Sequence, residues 1–188
     1  MDEKRRSIEK IIGEREGLEL GVELKEESVQ FVVVTLADQW YAFWGNVVAS
    51  IATVQTITPI PGTPDFMLGV MYYQGRVESV MDIKKVLGLE DTTITKKSRV
   101  VIASSGEVQS GIQVDSVEDV VELPTREIFE PLHTMEAGKK EYVTGEIDFR
   151  GQNVVILDLA RVFERLLEHE ICWSSGKEDI GLVWMQLR

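Results

Sequence analysis

The sequence predicts an all-β chain made of two similar small subdomains packed together, with short helices and extensions at both ends. Short runs rich in Val, Ile and Thr alternate with turn residues along residues 30–157, as half-buried strands and hairpins do. A segment near the middle recurs without a gap 76 residues later: FMLGVMYYQGRVESVMDIKKVL at 66–87 lies over YVTGEIDFRGQNVVILDLARVF at 142–163. In that alignment Gly69 meets Gly145, Gly75 meets Gly151 and Asp82 meets Asp158. A weaker upstream match, at an offset of 69, puts residues 41–43 over 110–112 and Asn46 over Asp115. Such a repeat argues for two like units of about five strands each. Short strands with Gly turns curl and close because closure removes open edges. Neither half, at roughly 70 residues, supplies a generous core. The halves are therefore expected to pack on each other with a groove between them. A single β-sandwich of the same strands is the alternative.

Residues 1–28 are polar and charged. Ile8, Ile11 and Ile12 mark a short amphipathic helix stopped near Gly13 or Gly17, and Leu18, Leu20, Val22 and Leu24 then alternate. This extension reads as a frayed leader or as an arm packed on the domain or a partner. The body begins with the β-branched run 30–36, a turn at Ala37-Asp38-Gln39, and WYAFW at 40–44 closing a hairpin. Trp40 and Trp44 share one parity and so one face, as core packing or as an exposed interface pair. The next run ends on Pro59 and Pro61, which lack the N–H a central ladder needs and make the segment a fixed connection.

Two strands within 66–81 flank a turn at Gln74-Gly75-Arg76. Gly75 is expected at positive φ, where a Cβ is strained. Gly69, inside a strand, marks a bulge or a close backbone approach, as does Gly145. Tyr72 and Tyr73 must place one ring on each face. Asp82 and Asp158 each precede a short helical segment and read first as N-caps. The first of these segments ends at Gly88, and 90–98 is a polar linker. A second strand-turn-strand follows in 99–124, turning at Gly106-Glu107, and 125–140 is less regular. After the last strands, the strongest helical stretch spans 159–168, with Leu159, Val162, Phe163, Leu166 and Leu167 on one face. In the tail, 169–188, IGLVWMQL adds a strand or presents an apolar strip. The expected organisation is an extension over 1–28, a domain over 29–168 with pseudo-repeats at about 29–90 and 96–168, and an extension over 169–188.

Composition narrows the function. Lys and Arg total 20 against 32 Asp and Glu, a formal charge of -12, which argues against nucleic acid or anionic lipid as a direct partner. A lone cysteine, Cys172, makes no internal disulfide or multi-thiolate metal site and fits a reducing compartment. The first ten residues are charged and lead into no apolar run, and no stretch approaches the length of a membrane span, so a cytoplasmic protein is expected. Two histidines, His133 and His169, are too few for a metal centre, and His169 with Cys172 is an isolated pair. No phosphate-cradling Gly-rich loop or G-x-S-x-G elbow occurs. An acid–base enzyme would have to use Asp82, Asp158, Glu78 or His133, and capping already explains both aspartates. No catalytic, cofactor or metal site is expected.

From about residue 28 to 167 the chain resembles the CheW-like family, the coupling scaffolds of chemotaxis. The resemblance is carried by the Pro-Ile-Pro-Gly connection at 59–62, by Phe66–Val70, and by the strand and turn from Gly75 to Ile83. In the second half it is carried by Gly111-Ile112-Gln113-Val114-Asp115-Ser116-Val117, Tyr142–Gly145 and Val154–Leu159. It implies two SH3-like five-stranded β-barrels and no catalysis. It also implies a bridge between the cytoplasmic tips of chemoreceptors and the regulatory domain of a CheA-type histidine kinase, with the partner surface including Val48, Ser50, Gly69, Gln74, Gly75 and Val117. The chain departs from the family where Tyr72-Tyr73-Gln74-Gly75 replaces an Asn-Leu-Arg-Gly type turn. Gln74 keeps hydrogen bonding but loses the charge and forked donors of arginine. A glutamate expected near Ser50 is missing, and Trp44-Gly45 stands for an Asp-Ile type pair. The alternative is a divergent module that has left receptors and binds a kinase or another partner alone.

Overall fold

A computed structural model describes residues 27–106, 108–131 and 140–174, with side chains of the closing helix described to Leu166. The expected helix near Ile8, the tail strand, His133, and the side chains of Leu167, His169 and Cys172 lie outside the described residues. The strands are β1 (Ser28–Leu36), β2 (Gln39–Trp44), β3 (Val48–Thr53), β4 (Met67–Tyr73), β5 (Arg76–Met81) and β6 (Arg99–Ser105). They continue with β7 (Val108–Val114), β8 (Ser116–Pro124), β9 (Ile128–Phe129), β10 (Val143–Phe149) and β11 (Gln152–Leu157), before helix α1 (Leu159–Ser174). The all-β class is borne out: the strands form two sheets, ordered β8-β1-β2-β11-β10-β9 and β3-β6-β7-β5-β4. Two-residue β9, within the stretch expected to be irregular, makes the first sheet six-stranded rather than five-stranded.

The two sheets do not coincide with the two repeat halves. The repeat itself is reproduced strand for strand: β4 and β5 match β10 and β11 at an offset of 76, and β1, β2 and β3 fall on β6, β7 and β8 at 69. Yet hairpin β1–β2 joins the second half through the parallel β11–β2 pair, and hairpin β6–β7 joins the first half through the parallel β5–β7 pair. Each half therefore lends its opening hairpin to the other. A repeat marks which strands are alike but is silent on which half supplies a strand's partner. The short turns after β2 and β7 redirect the chain into the other sheet instead of folding it back as a hairpin.

Strand alternation divides the apolar residues between the two faces of each sheet. Val32, Val34, Tyr41 and Phe43 of one sheet meet Val101, Ala103, Ile112 and Val114 of the other in a shared core, closed by Leu159, Val162, Phe163 and Leu166 of α1. Phe31, Val33, Ala42, Ile147 and Ile156 form a second core on the far face of the six-stranded sheet. Ala52, Met71, Val80, Val100 and Ile102 do the same for the five-stranded one. Burying a side chain of this size stabilises by roughly 1.5–3 kcal/mol. Trp40 and Trp44 both pack on the second core, with centroids 5.4 Å from Phe149 and 4.9 Å from Phe31 respectively.

Local features follow the repeat as well. Gln74 and Gly75 have φ of 47° and 85°, and Arg150 and Gly151 have 55° and 74°, so both hairpins close through two positive-φ residues, as a type I′ turn requires. Asp82 Oδ1 accepts the Lys84 N–H at 2.9 Å, and Asp158 Oδ1 accepts those of Ala160 and Arg161 at 3.0 and 3.2 Å, the capping role expected of both.

Burial pushes the Tyr41 phenol up to about 12, while its OH donates to Gln39 Oε1 at 2.9 Å. An unfolded tyrosine ionises near ~10, so this contribution to stability is complete below pH ~10 and is lost as pH rises towards the folded value. Tyr142 is shifted the same way, first by burial and then by Glu141. Urea denaturation at stepped pH should show Tyr41 adding about 1.4 kcal/mol of lost stability per pH unit in that window. Tyr41→Phe should flatten the decline, and an unchanged slope would rule the assignment out.

Candidate functional site

The six residues singled out from the sequence fall into two groups. Val48 and Ser50 lie half-buried on β3, one end of the five-stranded order, and Val117 lies half-buried on β8, one end of the six-stranded order. Val48 and Val117 occupy equivalent strands, and both pack against the shared core, so they mark the seam between the sheets. Val48 is thus partly a packing residue, and a charge there tests stability together with binding.

Gly69, Gln74 and Gly75 belong to the β4–β5 hairpin, at the other end of the five-stranded order. Gln74 and Gly75 are exposed at its tip, and the Gln74 side-chain amide donates to the Tyr73 hydroxyl at 2.9 Å. Gly69 is different. It is buried at a bulge with φ of 134°, and the edge beside it, which the resemblance assigns to the partner surface, is occupied by Thr58. Thr58 N–H donates to Val70 O at 2.8 Å and Val70 N–H donates back to Thr58 O at 2.9 Å. The proline-bounded connection thus serves as a cover for β4.

A buried charged knot was not anticipated. Lys84 is 0% exposed. Its Nζ donates to Gln113 Oε1 at 3.0 Å and lies 3.2 Å from Asp82 Oδ2 and 3.6 Å from Asp115 Oδ1. Asp115, at the crossover from β7 to β8, also accepts the Ala37 N–H at 2.7 Å and the Thr92 hydroxyl. One carboxylate therefore ties together the β1–β2 turn of one sheet, the turn after β5 of the other, and the linker before β6. The sequence signal was Asp82 two residues ahead of a lysine that helical spacing turns inward with Ile83 and Leu87. A lysine in a charged-looking turn nevertheless reads as solvated.

Asp82 and Asp158 are each engaged in capping, and Asp82 in the knot as well. Among the described residues no group of three or more His, Cys, Asp or Glu side chains is placed to hold a metal ion, and no helix is long and apolar enough to cross a membrane. What the geometry offers is surface: a half-buried apolar seam and an exposed hairpin tip.

Residues 30–167 match the CheW-like domain family. The chain is 26% identical to the chemotaxis protein CheW of Klebsiella aerogenes over 141 residues, covering 75% of this chain and 82% of that protein. It is likewise 26% identical to the chemotaxis protein CheW of Thermotoga maritima over 133 residues, covering 71% and 86%. The crystal structure of the scaffolding protein TtCheW from Thermoanaerobacter tengcongensis matches with a TM-score of 0.66 at 27% identity, over 73% of this chain and 94% of that one.

Proposed function

The chain belongs to the CheW-like domain family, whose members are chemotaxis scaffolds, and on that premise we propose that it is a non-catalytic cytoplasmic scaffold. In this reading it couples the cytoplasmic tips of chemoreceptors to the regulatory domain of a CheA-type histidine kinase. It needs no cofactor, binds no nucleic acid, does not insert into the membrane, and reaches receptor arrays through its partners. The observation that carries the reading is the family match running from β1 into α1, across both sheets and the seam between them.

Within this reading Val48, Ser50 and Val117 contribute the seam, and Gln74 with Gly75 the hairpin tip. Titrating the full chain with a receptor-tip fragment, and separately with the kinase regulatory domain from the same genome, tests it. Gln74→Ala should weaken receptor-tip binding by about 1 kcal/mol, the usual net worth of a neutral hydrogen bond, and leave circular dichroism unchanged. Gln74→Arg should strengthen it. Saturable binding to neither partner would overturn the proposal. The second reading, a module that binds a kinase or another partner without receptors, is favoured by Gln74, which is uncharged and already bonded to Tyr73. It predicts kinase-domain binding and no response of receptor binding to Gln74→Arg.

A further inference from the structure

The two sheets provide an internal control for one another at the ends where β1 and β6 begin. In the six-stranded sheet the register brings the start of β1, the ends of β2 and β8 and the start of β10 to one end. There Val29, Trp44, Leu123 and Ile128 pack on the second core and stay half-buried. The Trp44 ring lies 4.9 Å from that of Phe31, and its Nε1 donates to Thr144 Oγ1 at 3.0 Å. An indole whose N–H is already satisfied offers a neighbour its apolar face.

The five-stranded sheet shows how such an end is closed. At the offset of 69, Ser98 stands for Val29 and Gln113 for Trp44, and these two are only 1% and 2% exposed. Gln113 accepts Lys84 Nζ at 3.0 Å. Ser98 is held by the chain just ahead of β6: its Oγ accepts the Thr95 N–H at 2.9 Å, and its own N–H donates to Thr95 O at 3.1 Å. The segment that enters β6 therefore folds back over the end of its sheet. The segment that enters β1 holds the same place in the repeat. Its last residue, Glu27, accepts the Thr125 N–H at 3.0 Å, so the chain arrives beside Leu123. Ahead of it Leu18, Leu20, Val22 and Leu24 alternate with Glu19, Gly21 and Glu23, a pattern that gives an extended segment one apolar and one polar face. From Glu27 back to Leu18 such a segment reaches about 30 Å, whereas β8, β1 and β2 together span only about 10 Å.

We propose that residues 18–24 close this end of the six-stranded sheet from within the chain, laying Leu18, Leu20, Val22 and Leu24 over Val29, Trp44 and Leu123 and leaving Glu19 and Glu23 in water. The apolar face of the segment matches apolar Val29 and Trp44, as the polar turn at Thr95 matches Ser98 in the other sheet. A partner that needs Trp44 must then displace the segment first. The test is hydroxyl-radical labelling of the full chain, with Leu20→Asp and Val22→Asp introduced together. Labelling of Trp44 should rise severalfold. Trp40, which packs beside Phe149 on the same core, is the internal reference and should not change. Glu19→Gln with Glu23→Gln, on the polar face, should leave Trp44 as in wild type. Equal Trp44 labelling in wild type and the aspartate variant overturns the cover, and so does an equal rise in the glutamine variant. If Trp40 rises together with Trp44, the aspartate variant has lost its fold, and amide hydrogen exchange of the wild-type chain decides. Exchange across 18–24 at least about tenfold slower than in the free peptide supports the cover, and free-peptide rates refute it. Protection that appears only as protein concentration is raised assigns the segment to a second copy and overturns closure within one chain.

Discussion

Lys84→Met should lower the free energy of unfolding by about 3 kcal/mol, a large share of what a domain of this size has. The ammonium is 0% exposed, with Asp82 and Asp115 as its counter-charges and Gln113 as a neutral acceptor. Removing it leaves two carboxylates near each other, with side chains only 11% and 20% exposed and no cation between them. Breaking a buried pair from one side costs about 3–5 kcal/mol, and the residual exposure of the aspartates favours the lower figure. The equivalent corner of the other sheet suggests the rescue. There Ala160 stands at the position of Lys84 and Asn46 at that of Asp115, while Asp158 takes Arg161 at 3.3 Å instead. The double variant Lys84→Ala, Asp115→Asn should accordingly lose less than the sum of its single changes. Urea denaturation of the four proteins gives the coupling directly. A single-variant loss below about 1 kcal/mol would mean that the knot contributes little beyond what water would provide.

Much of the fold was legible because it is written in short-range patterns. The β-branched runs located the strands, Gln74-Gly75 and Arg150-Gly151 located the turns, and the spacing of Leu159, Val162, Phe163 and Leu166 located the buried face of α1. The parity of Trp40 and Trp44 put both on one face, and the packing of the six-stranded sheet makes that face the second core. The exchange of hairpins β1–β2 and β6–β7 was not legible, since a parallel contact such as Val80 with Gly111 joins residues far apart in sequence and leaves no periodicity. Of the candidate site, Gln74 and Gly75 lie at the exposed tip that turn chemistry predicts. Val48 and Val117 look alike in sequence to any surface valine, and only the packing of the two sheets assigns them to the seam. Lys84 escaped notice because two of its three partners, Gln113 and Asp115, come from the end of β7, far along the chain.

Gly69→Ala should cost roughly 3–5 kcal/mol, combining backbone strain with the loss of neighbouring hydrogen bonds. Two effects act in the same direction. The residue has φ of 134°, where an L side chain is strained, and an added Cβ would stand 2.2 Å from Thr58 O, 2.7 Å from Thr58 C and 2.8 Å from Pro59 Cα. These are backbone atoms, and they cannot retreat without breaking the paired bonds between Thr58 and Val70. Gly75→Ala is the matched control. Its φ of 85° carries strain, but the nearest atom to an added Cβ is the Tyr72 hydroxyl at 4.0 Å, so the cost should be only about 1–2 kcal/mol. The functional consequence is specific. A Gly69 variant that binds its partners poorly is reporting a displaced Pro59–Pro61 cover and a disturbed β4, whereas a Gly75 variant alters the exposed tip itself. Thermal melting separates the two, and amide hydrogen exchange locates the damage: Thr58 and Val70 should lose protection in Gly69→Ala and keep it in Gly75→Ala. A Gly69→Ala protein that melts with wild type and retains both protected amides would show that the close approach is slack, and would restore Gly69 as a residue a partner can reach.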